Sequence, residues 1–154
     1  MCLERVDQDD GDYQARAGRQ GRKAQEMAYA VLLSHGFSDI RTKVSGPGGV
    51  EVNFEALDQQ GQKWLFDVSG AFSVTQRPGL RRTDTLWKAL GKASVLHSSD
   101  PSTRLVLLTT DRPAPNSAGA RALDVVTGEG KPVRDVIGML SPCLLFTSPS
   151  PRDS

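Results

Sequence analysis

Residues 50–57, VEVNFEAL, and 63–69, KWLFDVS, both alternate apolar with polar side chains, and Asp58-Gln-Gln-Gly61 stands between them. Period-two alternation on either side of a turn-forming tetrapeptide predicts two antiparallel strands joined as a hairpin. Val50, Val52 and Phe54 are expected on one face of the first strand, with Glu51, Asn53 and Glu55 on the other. In the second, Trp64, Phe66 and Val68 oppose Leu65, Asp67 and Ser69. Because neighbouring strands share their faces, the polar sides can coincide. Asn53, or a glutamate next to it, then comes beside Asp67, with Ser69 two residues further on.

The flanking segments fit around this hairpin. A helix is predicted over roughly 16–35, since Ala24, Met27, Ala28, Val31 and Leu32 recur at helical spacing. Gly36 supplies the left-handed residue that closes such a helix. A short strand, 38–44, and the turn SGPGG, 45–49, lead into the hairpin. After a Gly/Pro loop, 70–82, a second helix is expected from a Thr83 or Asp84 cap to about residue 97, buried along Leu86, Ala89, Leu90, Ala93 and Leu96. The nearly continuous apolar run at 103–110 reads as an interior strand covered on both faces. A short helix near 117–123, a brief strand at 124–126 and a helical turn from Pro132 to Met139 complete the expectation. The order α-β-β-β-α-β predicts an α/β domain with a mixed sheet flanked by helices.

Composition bounds the function. Apolar residues make up 38% and charged residues 24% of 154, as in a soluble globular domain. No segment approaches the roughly 20 apolar residues of a membrane span. The acidic opening, MCLERVDQDDGD, lacks the apolar stretch of a signal peptide. Cys2 and Cys143 have neither zinc-site spacing nor an obvious partner, which suits a cytoplasmic protein. The net charge of +1 is uninformative, but its distribution is not. Arg16, Arg19, Arg22 and Lys23 form one basic cluster. Arg77, Arg81, Arg82, Lys88 and Lys92, against Asp84 alone, form another. Such clusters suit phosphate tracking, though solvated faces carry them too.

Glu26, on the first helix but off its apolar stripe, can approach the sheet edge near Asn53 and Asp67. Carboxylates converging without cations repel, and such clusters persist chiefly around a divalent metal. Each residue has a plainer reading. Glu26 then is solvated, Lys88 covers Trp87 with its stem, and the acid between Phe66 and Val68 is the hardest to explain, because an uncompensated acid there costs several kcal/mol in order of magnitude.

The run Gly21-Arg-Lys-Ala-Gln-Glu26 followed by an amphipathic helix ending in His35-Gly36-Phe37, then Val52-Asn-Phe-Glu-Ala56 and Trp64-Leu-Phe-Asp-Val-Ser-Gly70, resembles the PD-(D/E)xK nuclease superfamily over about residues 18–110. Restriction endonucleases and Holliday-junction resolvases belong to it. The resemblance implies a restriction-endonuclease-like αβββαβ core and a metal-dependent DNA endonuclease of restriction or repair type. It implies Mg2+ or Mn2+ held by Glu26, Asn53 and Asp67, and Glu26, Asp67 and Lys88 as the catalytic set. Arg77, Arg81 and Arg82 would meet the DNA backbone, and a homodimer is one assembly it admits. Two positions depart from the family. Asn53 stands where an aspartate is usual, and Ser69 stands where the lysine is usual. Glu51 or Glu55 could stand in for Asn53, and families of this fold relocate the lysine to the next helix, hence Lys88. The alternative is a catalytically decayed nuclease-fold module that binds DNA or serves assembly.

The chain divides on this reading into an acidic leader, 1–15, a nuclease-like domain, 16–142, and a tail, 143–154. Cys143-Leu-Leu-Phe-Thr-Ser-Pro-Ser-Pro-Arg-Asp153 is similar to the conceptual translation of a sequencing-library adapter, differing only at Phe146, where the adapter encodes tyrosine. The tail is therefore expected to be non-native and without function, and the native domain to continue past about Pro142.

Overall fold

The structure, a computed structural model, describes residues 23–69 and 79–140. Helix α1 occupies residues 23–34. It ends where Gly36 turns to φ 86°. The Gly36 N–H donates to the Leu33 carbonyl and the Phe37 N–H to that of Leu32, at 3.1 Å each. This paired closure needs a left-handed residue, which glycine adopts without a Cβ penalty.

Strands β1 (Ser38–Ser45), β2 (Glu51–Leu57) and β3 (Lys63–Ser69) form an antiparallel meander, and β4 (Leu105–Thr109) and β5 (Asp135–Gly138) extend it in parallel. The sheet order is the chain order, β1 to β5. Phe54 pairs with Phe66 and Ala56 with Trp64, so the hairpin forms as its alternation requires. Between β3 and β4 lies α2 (Thr83–Ser99), and between β4 and β5 lies α3 (Ala118–Val126). The result is an α/β fold whose five-stranded mixed sheet is flanked by three helices.

The two faces have separate cores. On one, α2 and α3 pack Leu86, Ala89, Ala93, Leu96 and Leu123 against Leu65, Leu105, Leu107 and Val136. On the other, α1 packs Ala28 and Leu32 against Phe54, Phe66, Val106 and Leu108. Parity along β3 thus sends Leu65, Asp67 and Ser69 toward α2, and Trp64, Phe66 and Val68 toward α1.

Four expectations need correction. Residues 124–126 are not a strand but the last turn of α3, whose cap is the Ser117 hydroxyl accepting from the Ala120 N–H at 3.1 Å. Residues 132–139 hold a strand, not a helical turn. All five residues of β4 are buried, and an interior strand needs ladder partners on both edges; β5 supplies the second. Neither Thr83 nor Asp84 caps α2, because Arg82 occupies that position without a side-chain cap bond. Lastly, Val50, Val52 and Phe54 do not share a face. Val50 and Val52 pack on the α2 side and Phe54 on the α1 side. The pairing of β2 with β3 also runs from Leu57 only as far as Phe54, and the alternation changes phase around Asn53.

Candidate functional site: a buried acid–lysine pair

Asp67 lies in the middle of β4's parallel neighbour and is only 5% exposed. A carboxylate there has lost most of its hydration, and two groups answer it. The Lys92 ammonium donates to both oxygens, at 3.2 and 3.3 Å. The Asn53 backbone N–H donates to the same carboxylate. Burial nevertheless dominates and raises the Asp67 pKa, with the Lys92 charge and hydrogen bond and the Asn53 N–H opposing.

Asn53 serves the same corner twice. Its side-chain carbonyl oxygen accepts the Val68 N–H at 2.7 Å. The side chain therefore does the work of a ladder carbonyl where β2 changes phase. It holds β2 against β3 beside Asp67. Ser69, two residues beyond Asp67 on the same face, is buried.

The lysine that meets Asp67 is Lys92, not the expected Lys88. The two stand one turn apart on α2, so helical spacing alone gives them the same face. Each directly precedes a buried alanine, Ala89 and Ala93 respectively. What differs is height along β3, which helical spacing does not give. The structure answers with Lys92 on Asp67 and Lys88 exposed.

The other expected residues are placed as follows. Glu26 is exposed on α1, the helix that covers the opposite face of the sheet from Asp67. Glu51 is exposed, and Glu55 is half-buried and pairs with Leu65. Arg81 forms an ion pair with Asp111 at 3.3 Å and Arg82 with Asp84 at 3.3 Å. Arg77 lies outside the described residues. Among the described residues, no group of three or more His, Cys, Asp or Glu side chains converges as a metal cage. The donors at hand are hard oxygens: the Asp67 carboxylate, the Asn53 amide and the Ser69 hydroxyl. Mg2+ accepts such donors and is commonly held by one or two carboxylates with waters and substrate phosphates completing its shell, so one buried carboxylate fits a substrate-completed site better than a closed cage.

The start of α2 is fixed to the sheet by a compact lock. The Thr109 hydroxyl accepts from the Leu80 N–H at 3.0 Å and the Asp111 N–H at 3.1 Å, and donates to the Asp111 carbonyl at 2.7 Å. Gly79, at φ 62°, approaches this point closely. The height of Lys92 is set from here.

Comparison with protein-family models, with curated proteins and with solved structures finds no match for this chain.

Proposed function

We propose that this chain is a metal-dependent DNA endonuclease of the PD-(D/E)xK type, whose working pair is Asp67 and Lys92. The observation that carries the reading is the pair itself. A buried strand aspartate is met by a lysine from the following helix. That is the acid-plus-cation combination of the resembled family, with the lysine moved from position 69 to α2. In the proposed reaction Asp67, steadied by the Asn53 N–H, would be the carboxylate that holds a Mg2+ or Mn2+ ion. The Lys92 ammonium exchanges its carboxylate partner for a phosphate oxygen and stabilises the charge that grows there. A bound Mg2+ or Mn2+ would lower the pKa of the attacking water and neutralise phosphate charge. Arg81 and Arg82 would meet the DNA backbone by exchanging their present acid partners; exposed pairs of this kind are worth at most about 1 kcal/mol and are readily exchanged. Among the described residues no helix is long and apolar enough to cross a membrane. Work on DNA in a reducing cytoplasm suits the two isolated cysteines.

A second reading is favoured by one specific observation. The Asn53 side chain is committed to Val68, and Glu26 is exposed on the helix that covers the other face, so Asp67 has no acid beside it from either. On that reading the domain binds DNA without cutting it.

The test is plasmid nicking by the purified full chain with Mg2+, with Mn2+ and with chelator, beside a DNA-binding measurement at fixed salt. Metal-dependent nicking is expected. Asp67→Ala should abolish it, and Lys92→Ala should lower it by about tenfold or more, the scale of one charge-stabilising donor. Lys88→Ala should retain it. Binding without cleavage under every metal condition selects the second reading. Absence of both binding and cleavage removes both.

A further inference from the structure

The α1 face of the sheet holds a cavity of about 380 Å³ that the Asp67 site does not use. Its volume is in the range of small-molecule sites, roughly 300–1,000 Å³. The floor is apolar: Leu32, Phe37, Phe66, Leu108 and Ile137. Phe37 and Phe66 meet edge to face, with centroids 5.1 Å apart. Phe66 is buried and Phe37 half-buried, so the Phe37 ring supplies the surface against which a flat apolar body can stack.

The rim is polar and uneven. Asp58 and Asp135 are both turned on donors of the chain itself. Asp58 accepts from the Gln60 and Gln62 N–H groups and from the Trp64 indole N–H, each at 2.9 Å. Asp135 accepts from the Val136 N–H at 2.8 Å. Arg134 is different. Its guanidinium stacks over the Trp64 ring, 5.3 Å from the centroid, and makes no hydrogen bond among the described residues. Its acidic neighbour is Glu129 at 4.0 Å, on a side chain 88% exposed. A stacked guanidinium is held in one plane while its N–H fork stays available, which is the geometry that takes a carboxylate or phosphate.

We propose that this cavity binds a small aromatic anion. One or two fused rings enter the floor, and a carboxylate or phosphate lies on the Arg134 fork. Because β3 alternates, Phe66 faces this cavity while Asp67 faces α2. The two sites are therefore on opposite sides of one sheet, and this proposal stands apart from the nuclease reading.

The experiment is calorimetric titration of the full chain with four probes. Indole-3-acetate and adenosine 5′-monophosphate carry the two headgroups; indole and adenosine are their uncharged counterparts. At least one anionic probe is expected to bind with a Kd below about 1 mM, and its neutral counterpart about tenfold or more weaker. Which anion binds identifies the headgroup. Arg134→Gln should remove the advantage of the charged probe, and Arg134→Lys should restore part of it. Ile137→Trp, which fills the floor from a half-buried position, should abolish binding of charged and neutral probes alike. Circular dichroism of each variant separates lost binding from lost fold. The proposal is overturned if no probe binds at millimolar concentration, if neutral and charged probes bind equally, or if a folded Arg134→Gln protein still prefers the anion.

Discussion

A carboxylate set between Phe66 and Val68 gives up hydration that one lysine and one backbone N–H only partly replace. Burial accordingly raises the Asp67 pKa above its ordinary value near 3.8. The consequence for stability has a definite sign. A group whose folded pKa is raised binds protons more tightly in the folded state, so its contribution is most favourable in acid. That contribution is lost as pH rises from the ordinary aspartate range through the raised folded value. Ionised Asp67 therefore weakens the fold at neutral pH. Asp67→Asn keeps the shape and removes the charge, and the Lys92 ammonium, on a side chain 35% exposed, can turn to water. We expect the variant to melt about 2–4 °C above the parent at pH 7, the scale of a stability change of about 1 kcal/mol. The gap should shrink as pH is lowered toward 4. Melting curves across pH 3.5–7.5 (a window of roughly that span follows from the titration) check this. A variant that melts lower at pH 7 would show instead that the Lys92 pair outweighs the burial of the acid. A residue that costs stability where it stands is what a working site contains.

At the level of elements, Asn53 and Gly79 hold the acid and the lysine in register. If Asn53→Ala leaves the Val68 N–H without its acceptor, about 1–3 kcal/mol should be lost. Asn53→Asp keeps an acceptor and sets a second carboxylate beside Asp67. Two carboxylates so placed repel until a cation joins them. The expected outcome is a lower Tm without metal that Mn2+ restores, with tighter Mn2+ binding by calorimetry than the parent shows. Equal Mn2+ affinity in both would place the Asn53 side chain away from any metal position. For Gly79→Ala, a methyl would collide with the Thr109 hydroxyl and come within 2.9 Å of the Ser69 carbonyl and the Asp111 N–H, at a backbone φ of 62°. A cost of about 2–4 kcal/mol is expected from strain and displaced hydrogen bonds, read as a shifted denaturant midpoint. These elements also mark what the sequence made legible. The hairpin, the two long helices and β4 have strong periodicity and were readable. The exchange of strand and helix at 124–139 was not, because β5 owes its conformation to pairing with β4 rather than to local pattern. Asp67 was readable as an acid in an apolar strand. Lys92 was not separable from Lys88, because periodicity gives a residue's face on a helix and not its height against a strand. The Asn53 hydrogen bond to Val68 arises where β2 changes phase, and local alternation carries no sign of that change.

Taken as a whole, the molecule is one sheet with two separately packed faces. The acid–lysine pair is on the α2 side, and the Arg134 cavity is on the α1 side. Both are built from residues between Val31 and Ile137, and so is each hydrophobic cluster apart from Ala28, Met27 and Met139. β5 ends at Gly138, and Met139 closes that edge with its side chain buried and its N–H on the Thr109 carbonyl at 2.8 Å. Residues 143–154 lie outside the described residues. Their sequence offers Ser148, Pro149, Ser150 and Pro151 in alternation, with few apolar groups apart from Leu144, Leu145 and Phe146. By composition such a segment has little to bury. Deleting 143–154 is therefore expected to leave the Tm unchanged within about a degree. Metal response and probe binding should be unchanged as well. The discriminating residues are Leu144, Leu145 and Phe146, the only large apolar side chains in the segment. If deletion lowers the Tm by several degrees, replacing those three by serine in the full chain should reproduce the loss. That result would assign the segment to the fold and refute its reading as adapter-derived sequence.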